Sequence, residues 1–562
     1  MLNRLFLPLL LLLASCATPQ ATTPLASVGA VSAADPRAAA AGMEILRQGG
    51  SSADGAIAVM LALTVVEPQS SGIGGGGFLV HHDERRDRLT TFDGRERAPA
   101  AAGRNLFIGA NGQPMNIREA LPGGRSVGVP GNVRLAEIAH RRHGRLPWAQ
   151  LFAPAIRLAR DGFQITPRLH RALAAQNSMG RFSPGGRALF YQANGEPHPI
   201  GTTVRNPELA QLLENIATRG PDYFYVGPAA QELVRTVRGH SNAGQMTEGD
   251  LASYSATERP VQCGNYRGYR ICGMGPPSSG ATTVFAILEQ LERFDLRGLG
   301  PNSPQAWHLI GESMRLAYAD REAYLGDPDF VSVPTAGLMN ERYLAARSAL
   351  ISPDRRMERT SAGTPPGARR VTAAADGEVP STSHFVVVDR AGNVSSYTST
   401  IEAGFGSGLT ASGMFLNNEL TDFSFAPEQN GAPVANRVEG GKRPRSSMAP
   451  TIVYGPDGEV RLAVGAAGGP TIIVQVAKAI IGVVDWDLSA QAAIALPTMF
   501  VRGDALMVER GTFLEAMIPQ LQAYGHQVSP MDPGFKANAV ERVGGRLVGA
   551  ADPRSEGIGL VE

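Results

Sequence analysis

Residues 382–400 read T-S-H-F-V-V-V-D-R-A-G-N-V-S-S-Y-T-S-T. Phe385–Val388 is an unbroken run of aromatic and β-branched residues, which favour strands. Arg390–Asn393 supplies a turn with its Gly and Asn, and Val394–Thr400 returns as a second strand. The hairpin starts abruptly. Residues 352–381 before it are rich in Pro, Gly and charge and carry little apolar periodicity. A stretch of that length without a pattern, inside a compact protein, predicts a functional or flexible segment. Thr382 is therefore a residue at the head of a strand with a loose tail behind it.

Working outward, helical and strand-like runs alternate, which suits strands buried between helical layers. Asp35-Pro36 opens a helix with Pro in its first turn, and Gly49-Gly50 closes it. A second helix fits Ser52–Val66 and ends at Glu67-Pro68. G-I-G-G-G-G-F at 72–78 leads into a strand, and 85–95 alternates toward Phe92-Asp93-Gly94-Arg95. Helical periodicity runs from Leu135 to about Ala175, over most of 205–260 and over 303–325. A long apolar helix, Ile472–Val484, follows Gly468-Gly469. No internal repeat is visible.

Composition excludes several classes. The 562 residues carry 52 Lys+Arg against 51 Asp+Glu, so the basic excess of a nucleic-acid-binding surface is missing. With 43% hydrophobic residues a large core is expected rather than wholesale disorder. Three cysteines cannot build a disulfide scaffold. Cys263 and Cys272 flank a turn at 264–268. They either pair across that hairpin or remain two buried thiols.

Residues 1–16 read M-L-N-R-L-F-L-P-L-L-L-L-L-A-S-C. The apolar core is too short for a permanent span, which takes about 20 residues. Leu13-Ala14-Ser15-Cys16 resembles a bacterial lipobox, with Cys16 as the lipidated residue; a plain secretory signal is the alternative. Residues 17–33 are small and polar and read as a tether. The expected location is the periplasm-facing cell envelope, anchored by lipid. Ala17 after Cys16 favours the outer membrane.

Gly72-x-Gly74-x-x-Gly77 matches a dinucleotide fingerprint in form only, because it follows a helix and precedes a strand. The better reading is a loop where backbones pack closely. No P-loop, His-Glu-x-x-His set or G-x-S-x-G elbow occurs, so neither metal catalysis nor a cofactor is expected.

The informative set lies in the C-terminal third: Thr382-Ser383-His384, Thr398-Ser399-Thr400, Asn417-Asn418-Glu419-Leu420-Thr421-Asp422-Phe423, Lys442-Arg443-Pro444-Arg445-Ser446-Ser447-Met448 and Gly465–Gly469. With E-P-Q-S-S-G-I-G-G-G-G-F, F-D-G-R-E-R-A-P, V-G-V-P-G, A-R-D-G-F, P-P-S-S-G and a late A-D-P-R-S, this order resembles the γ-glutamyltransferase (glutathione hydrolase) family of N-terminal nucleophile hydrolases.

The resemblance implies an α+β fold, a four-layer αββα sandwich. It implies self-cleavage between Ser381 and Thr382. The products would be a large part (34–381, with 352–381 as flexible tail) and a small part (382–562), forming one structural domain as a heterodimer. Thr382 would be the nucleophile, with its freed α-amine, of pKa near 8, as base. Thr400 matches a hydroxyl that bonds the nucleophile, and Gly468 and Gly469 match the oxyanion hole. Arg95, with Ser446 and Ser447, matches the glutamyl α-carboxylate site; Glu419 and Asp422 match the acceptors of its α-ammonium. The implied substrates are γ-glutamyl compounds such as glutathione, with amino-acid or peptide acceptors.

Two departures stand out. Glu402 replaces an Asn that touches the glutamyl amine in well-known members, placing three carboxylates around one ammonium. The stretch from Phe423 to Lys442 is short and lacks a Tyr, as in lid-less relatives. A glutaryl or cephalosporin-type acylase, or a poly-γ-glutamate-cleaving relative, therefore stands as the alternative. An uncut, non-catalytic anchored binding protein is the alternative of another class.

Overall fold

The computed structural model describes residues 28–369, 381–532 and 534–562. Thirteen strands form its two large sheets. Before the undescribed gap lie β1 (Gly29–Ala33), β2 (Gly76–Asp83), β3 (Arg88–Gly94), β4 (Thr257–Arg259), β5 (Val261–Tyr266) and β6 (Tyr269–Met274). After it lie β7 (Ser383–Asp389), β8 (Val394–Thr400), β9 (Thr451–Tyr454), β10 (Val460–Ala467), β11 (Lys536–Val543), β12 (Arg546–Ala551) and β13 (Ile558–Val561). The first sheet runs β13-β1-β7-β8-β2-β3-β4 and the second β12-β11-β10-β9-β6-β5.

Helices α1 (Pro36–Arg47) and α2 (Ser52–Val66) cover the outer face of the first sheet. Helix α3 (Pro167–Ala174) joins the same core through Leu169 and Leu173. On the second sheet lie α4 (Gly280–Leu291) and α6 (Thr471–Val484), with α5 (Pro304–Tyr324) packed on α4. The two sheets face each other, so the layers are αββα, as the resemblance implies.

The apolar run that opens the hairpin has a direct physical reason. Val386 and Val388 point into the core between the sheets with Leu462, Val464 and Val540. Phe385 and Val387 point the other way, into the core shared with α1 and α2. A strand covered on both faces needs no polar side. The helices start where the sequence places them. Asp35 accepts from the Arg37 backbone N–H (2.8 Å), and Ser51 and Asp54 cap α2 reciprocally. Every residue of α2 is buried, which explains why it is apolar on all sides.

Two expectations need correction, and a third, the mostly helical stretch 205–260, holds with an earlier end. The tether predicted for 17–33 does not extend to its end: 29–33 is β1, buried between β7 and β13. Its small residues, G-A-V-S-A, read as linker but fit a crowded position between two neighbours. Helical structure within 205–260 stops at Ala252, and Thr257–Arg259 pairs with β3 instead. The segment 352–369 has no regular element, yet it is tied down. The Arg356 N–H donates to the Tyr524 carbonyl (2.8 Å), and the Gly363 N–H to Asp320 (2.7 Å). The remainder of the expected tail up to Pro380 lies outside the described residues, as do the leader and Cys16.

Cys263 and Cys272 are cross-strand partners on β5 and β6 and form a disulfide. Among the described residues no helix is long and apolar enough to cross a membrane.

Candidate active site

Strand register brings the first two site residues together. In the β7–β8 hairpin Ser383 pairs with Ser399, so Thr382, one residue before β7, reaches Thr400 at the end of β8. Their hydroxyl oxygens lie 3.1 Å apart. The Thr400 hydroxyl also accepts the Glu402 backbone N–H (2.8 Å), which fixes its orientation. Both threonines are buried. Thr382 has φ of 112°, a value that β-branched residues adopt only when the surroundings impose it. His384, two residues on, is not a base in reserve: burial pushes it down to about 3, and its Nδ1 is engaged by Thr398 Oγ1 (2.8 Å).

The Gly-rich loop at 72–77 is the close packing expected of it. A Cβ on Gly75 would lie 2.0 Å from the Thr400 carbonyl oxygen, and one on Gly74 2.1 Å from that of Phe415. This loop therefore sets the height of β8 beneath the nucleophile.

Gly468 and Gly469 stand between β10 and α6 with φ of 131° and 58°, open to glycine and costly to other residues. The Thr471 hydroxyl donates to the Gly468 carbonyl (2.8 Å), turning that peptide and holding the loop at the N-terminus of α6. A helix N-terminus favours negative charge, which suits an oxyanion. Gly469 lines the same small cavity as Thr382, Thr400, Arg95, Glu402, Glu419, Asp422, Ser446 and Ser447. The structure thus gathers these residues around Thr382, while Gly468 lines a neighbouring cavity that Thr382 also borders.

The charges are arranged differently from the roles assigned. Arg95 is buried, and its Nη1 donates to Glu419, its Nη2 to Asp422 (2.5 Å) and to the Arg445 carbonyl (2.9 Å). The two carboxylates expected to hold a substrate ammonium are the partners of the guanidinium expected to hold a substrate carboxylate. A buried guanidinium demands such neutralisation. The cavity between them is about 20 Å³, room for about one water. A substrate entering here must part these pairs. A zwitterion can, because it offers a carboxylate to Arg95 and an ammonium to the acids.

Acids outnumber the base. Burial pushes Asp422 up to about 7, with Arg95 opposing and Glu419 adding repulsion. Burial also holds Glu419 well above the carboxylate range. Glu402, at φ of 76°, adds a third carboxyl that hydrogen-bonds Asp422. Sequence reasoning missed a fourth, Glu96. It is fully buried, lies against the Gly76 backbone, and is pushed up to about 7 by burial, against the pull of Arg95. The signal was present, since Glu96 is inside F-D-G-R-E-R-A-P. Also missed was Arg321 on α5, whose guanidinium donates to the hydroxyls of Ser447 (2.7 Å) and Ser279 (2.8 Å).

None of the described residues 424–441 lines this cavity; their tip, Glu428–Gln429 with Ala432–Pro433, is a small hairpin. Among the described residues no group of His, Cys, Asp and Glu could hold a metal ion. The arrangement can perform acyl transfer with side chains and backbone: a positioned hydroxyl, a neighbouring hydroxyl, an oxyanion site and a charged acyl pocket.

Comparison with known proteins places this geometry. The family model described as Gamma-glutamyltranspeptidase matches residues 38–561. Glutathione hydrolase proenzyme of Bacillus subtilis (strain 168) is 36% identical over 544 residues, 95% of this chain and 91% of that one. Glutathione hydrolase proenzyme of Escherichia coli (strain K12) is 37% identical over 544 residues, 94% and 91% of the two chains. Among solved structures, the cephalosporin acylase from Bacillus halodurans superposes with a TM-score of 0.84 at 26% identity, covering 98% of this chain and 99% of that one.

Proposed function

Since the chain belongs to the gamma-glutamyltranspeptidase family, we propose that it is a γ-glutamyl amide hydrolase and transferase, glutathione among its substrates, acting through Thr382. The observation that carries this reading is the Thr382–Thr400 hydroxyl pair in one cavity with Arg95 and its acids. The chain matures by attack of the Thr382 hydroxyl on the Ser381 carbonyl, followed by hydrolysis of the ester. The freed α-amine then lies beside its own hydroxyl as base, with a pKa near neutrality. Thr382 Oγ1 attacks the γ-amide and the leaving amine takes a proton. Gly468 and Gly469 stabilise the oxyanion, each donor contributing about 3 kcal/mol. Water or an amine then releases the acyl group.

In this reading the glutamyl α-carboxylate takes the place of Glu419 and Asp422 on Arg95, beside Ser446 and Ser447. The two released acids receive the α-ammonium. The large and small parts stay together as a heterodimer. The leader and Cys16 place the enzyme on the periplasmic side of the envelope by a lipid anchor; loss of fatty-acid labelling in Cys16→Ala checks this.

One observation favours a second reading, a glutaryl-type acylase. Glu402 adds a carboxyl where the ammonium would sit, and the fold superposes on a cephalosporin acylase. The deciding experiment compares turnover of a γ-glutamyl anilide and a glutaryl anilide, with Thr382→Ala as blank. A γ-glutamyl preference lost in the blank is expected; a glutaryl preference moves the protein to the acylases. Glu402→Asn should change the ratio of the two rates, and an unchanged ratio removes Glu402 from recognition of the amine.

A further inference from the structure

Away from Thr382, a cavity of about 520 Å³ opens between α5, the short helix Glu341–Ser348 and the loop 352–361. It shares no lining residue with the glutamyl pocket. Its volume lies in the range of small-molecule sites, about 300–1,000 Å³. The loop has no regular element, but its backbone is bound from behind. Glu312 accepts the Met357 N–H (2.5 Å), and Arg315 donates to the Met357 carbonyl (3.0 Å). His308 Nε2 lies 2.8 Å from the Ser352 carbonyl oxygen, and the Arg356 N–H donates to the Tyr524 carbonyl (2.8 Å). A backbone tied down in this way presents its side chains to a ligand with little further ordering cost.

The charge of this cavity is one-sided. Arg347, Arg355, Arg356 and Arg359 line it against a single acid, Glu358. Arg355, Arg356 and Arg359 make no ion pair among the described residues; the Arg356 guanidinium donates to the Glu358 backbone carbonyl (3.3 Å). Elsewhere on the surface Arg47, Arg86, Arg157 and Arg510 each meet an acid. Arg347 is the buried member, 6% exposed. Its Nη2 donates to the Ser361 carbonyl (2.8 Å) and lies 3.3 Å from Asp320, but its Nε has no hydrogen-bond partner among the described residues. Like charges gathered around a concave surface repel one another and concentrate counter-ions there. A buried donor left unmatched adds a further cost. An anion relieves both.

We propose that this cavity binds a phosphate group carrying two or more charges, with Arg355, Arg356 and Arg359 around it and Arg347 as the buried contact. The site is independent of the chemistry at Thr382. Phosphate suits it better than a carboxylate does. Phosphate oxygens point in several directions, so several guanidinium forks bind one group, whereas a carboxylate offers one planar edge. Two sources share this chemistry: a small soluble phosphate ester or diphosphate, and the headgroup of an anionic lipid. Leu350, 54% exposed, belongs to the same lining and would meet the apolar portion of either.

The test titrates pyrophosphate into the purified full chain by calorimetry. In parallel the chain is sedimented with vesicles of phosphatidylcholine alone, or of phosphatidylcholine and phosphatidic acid in equal parts. The wild-type protein should bind one pyrophosphate per chain, or be carried down by the phosphatidic acid vesicles and not by the others; which probe is bound identifies the source. Arg355→Ala combined with Arg359→Ala should weaken that binding roughly tenfold or more, the loss of charge-assisted hydrogen bonds. Arg355→Lys combined with Arg359→Lys should keep part of it, and an unchanged thermal midpoint shows that each variant folds. Arg85→Ala combined with Arg118→Ala removes the same charge from two other exposed positions and should leave binding unchanged. Binding of neither probe, binding that survives both alanines at 355 and 359, or an equal loss in the Arg85 and Arg118 variant would overturn the site.

Discussion

Thr382 bears its strain beside the bond proposed for cleavage, because φ of 112° is a rotation about its N–Cα bond, next to the Ser381–Thr382 peptide bond. A β-branched side chain held there costs on the order of 1–3 kcal/mol, and glycine does not incur it. Among uncut variants, Thr382→Gly should therefore be more stable than Thr382→Ala by about 1 kcal/mol. Denaturant midpoints of the two single chains check this, and a less stable Gly variant would remove strain from the account. The acids around Arg95 make a second prediction. Glu96 and Asp422 hold their protons to about 7, above the ordinary carboxylate range. Between pH ~4 and 7 the folded chain thus binds more protons than the unfolded one. The stability these groups contribute is complete below pH ~4 and is lost as pH rises through about 7. Uncut Thr382→Ala protein should lose stability between pH 5.5 and 8, and Glu96→Gln should flatten that slope. The same titration sharpens the pocket for an ammonium, so KM for a γ-glutamyl substrate should fall as pH rises through this range.

At the scale of elements, the β7–β8 hairpin and the glycine loop act as one unit. A methyl group on Gly75 would meet the Thr400 carbonyl oxygen at 2.0 Å, backbone that cannot yield cheaply. Gly75→Ala should displace Thr400 from Thr382 and leave the chain uncut, which a denaturing gel reads directly. Much at this scale was legible beforehand. The α2 boundaries, Ser52–Val66, follow from a capping Ser51 and a terminal Glu67-Pro68, signals carried by a few neighbouring residues. The hairpin was legible because Phe385–Val388 leaves no choice but burial. Less legible were features made by distant chain. Residues 29–33 form a strand because β7 and β13 accept them, and Thr257–Arg259 leaves a helical neighbourhood because β3 offers an edge. At the site, motif order located Arg95, Glu419 and Asp422, but not that they bind one another. Nor did it single out Glu96, whose role as a buried acid depends on the Gly76 backbone closing over it.

Across the whole molecule, the proposed cut separates residues that the sheets keep interleaved. In the first sheet β1 lies between β13 and β7, and β2 pairs with β8; in the second, β6 pairs with β9. Each sheet therefore contains strands from both sides of Thr382. After cleavage the two parts should remain together through gel filtration without a covalent link. Unfolded in denaturant and returned to buffer, the cut protein should recover with a yield that depends on its concentration. Thr382→Ala, still one chain, should recover independently of concentration. A cut protein that refolds as readily when dilute would contradict the interleaving. The interleaving has a longer consequence. While the chain is intact, residues 34–381 tether β7 to its partners at a high effective concentration, and that advantage exists only during the first folding. Cleavage discards it. The mature enzyme is then a product of its own history, whose working life is set by how seldom its two pieces part, rather than by any equilibrium between folded and unfolded forms.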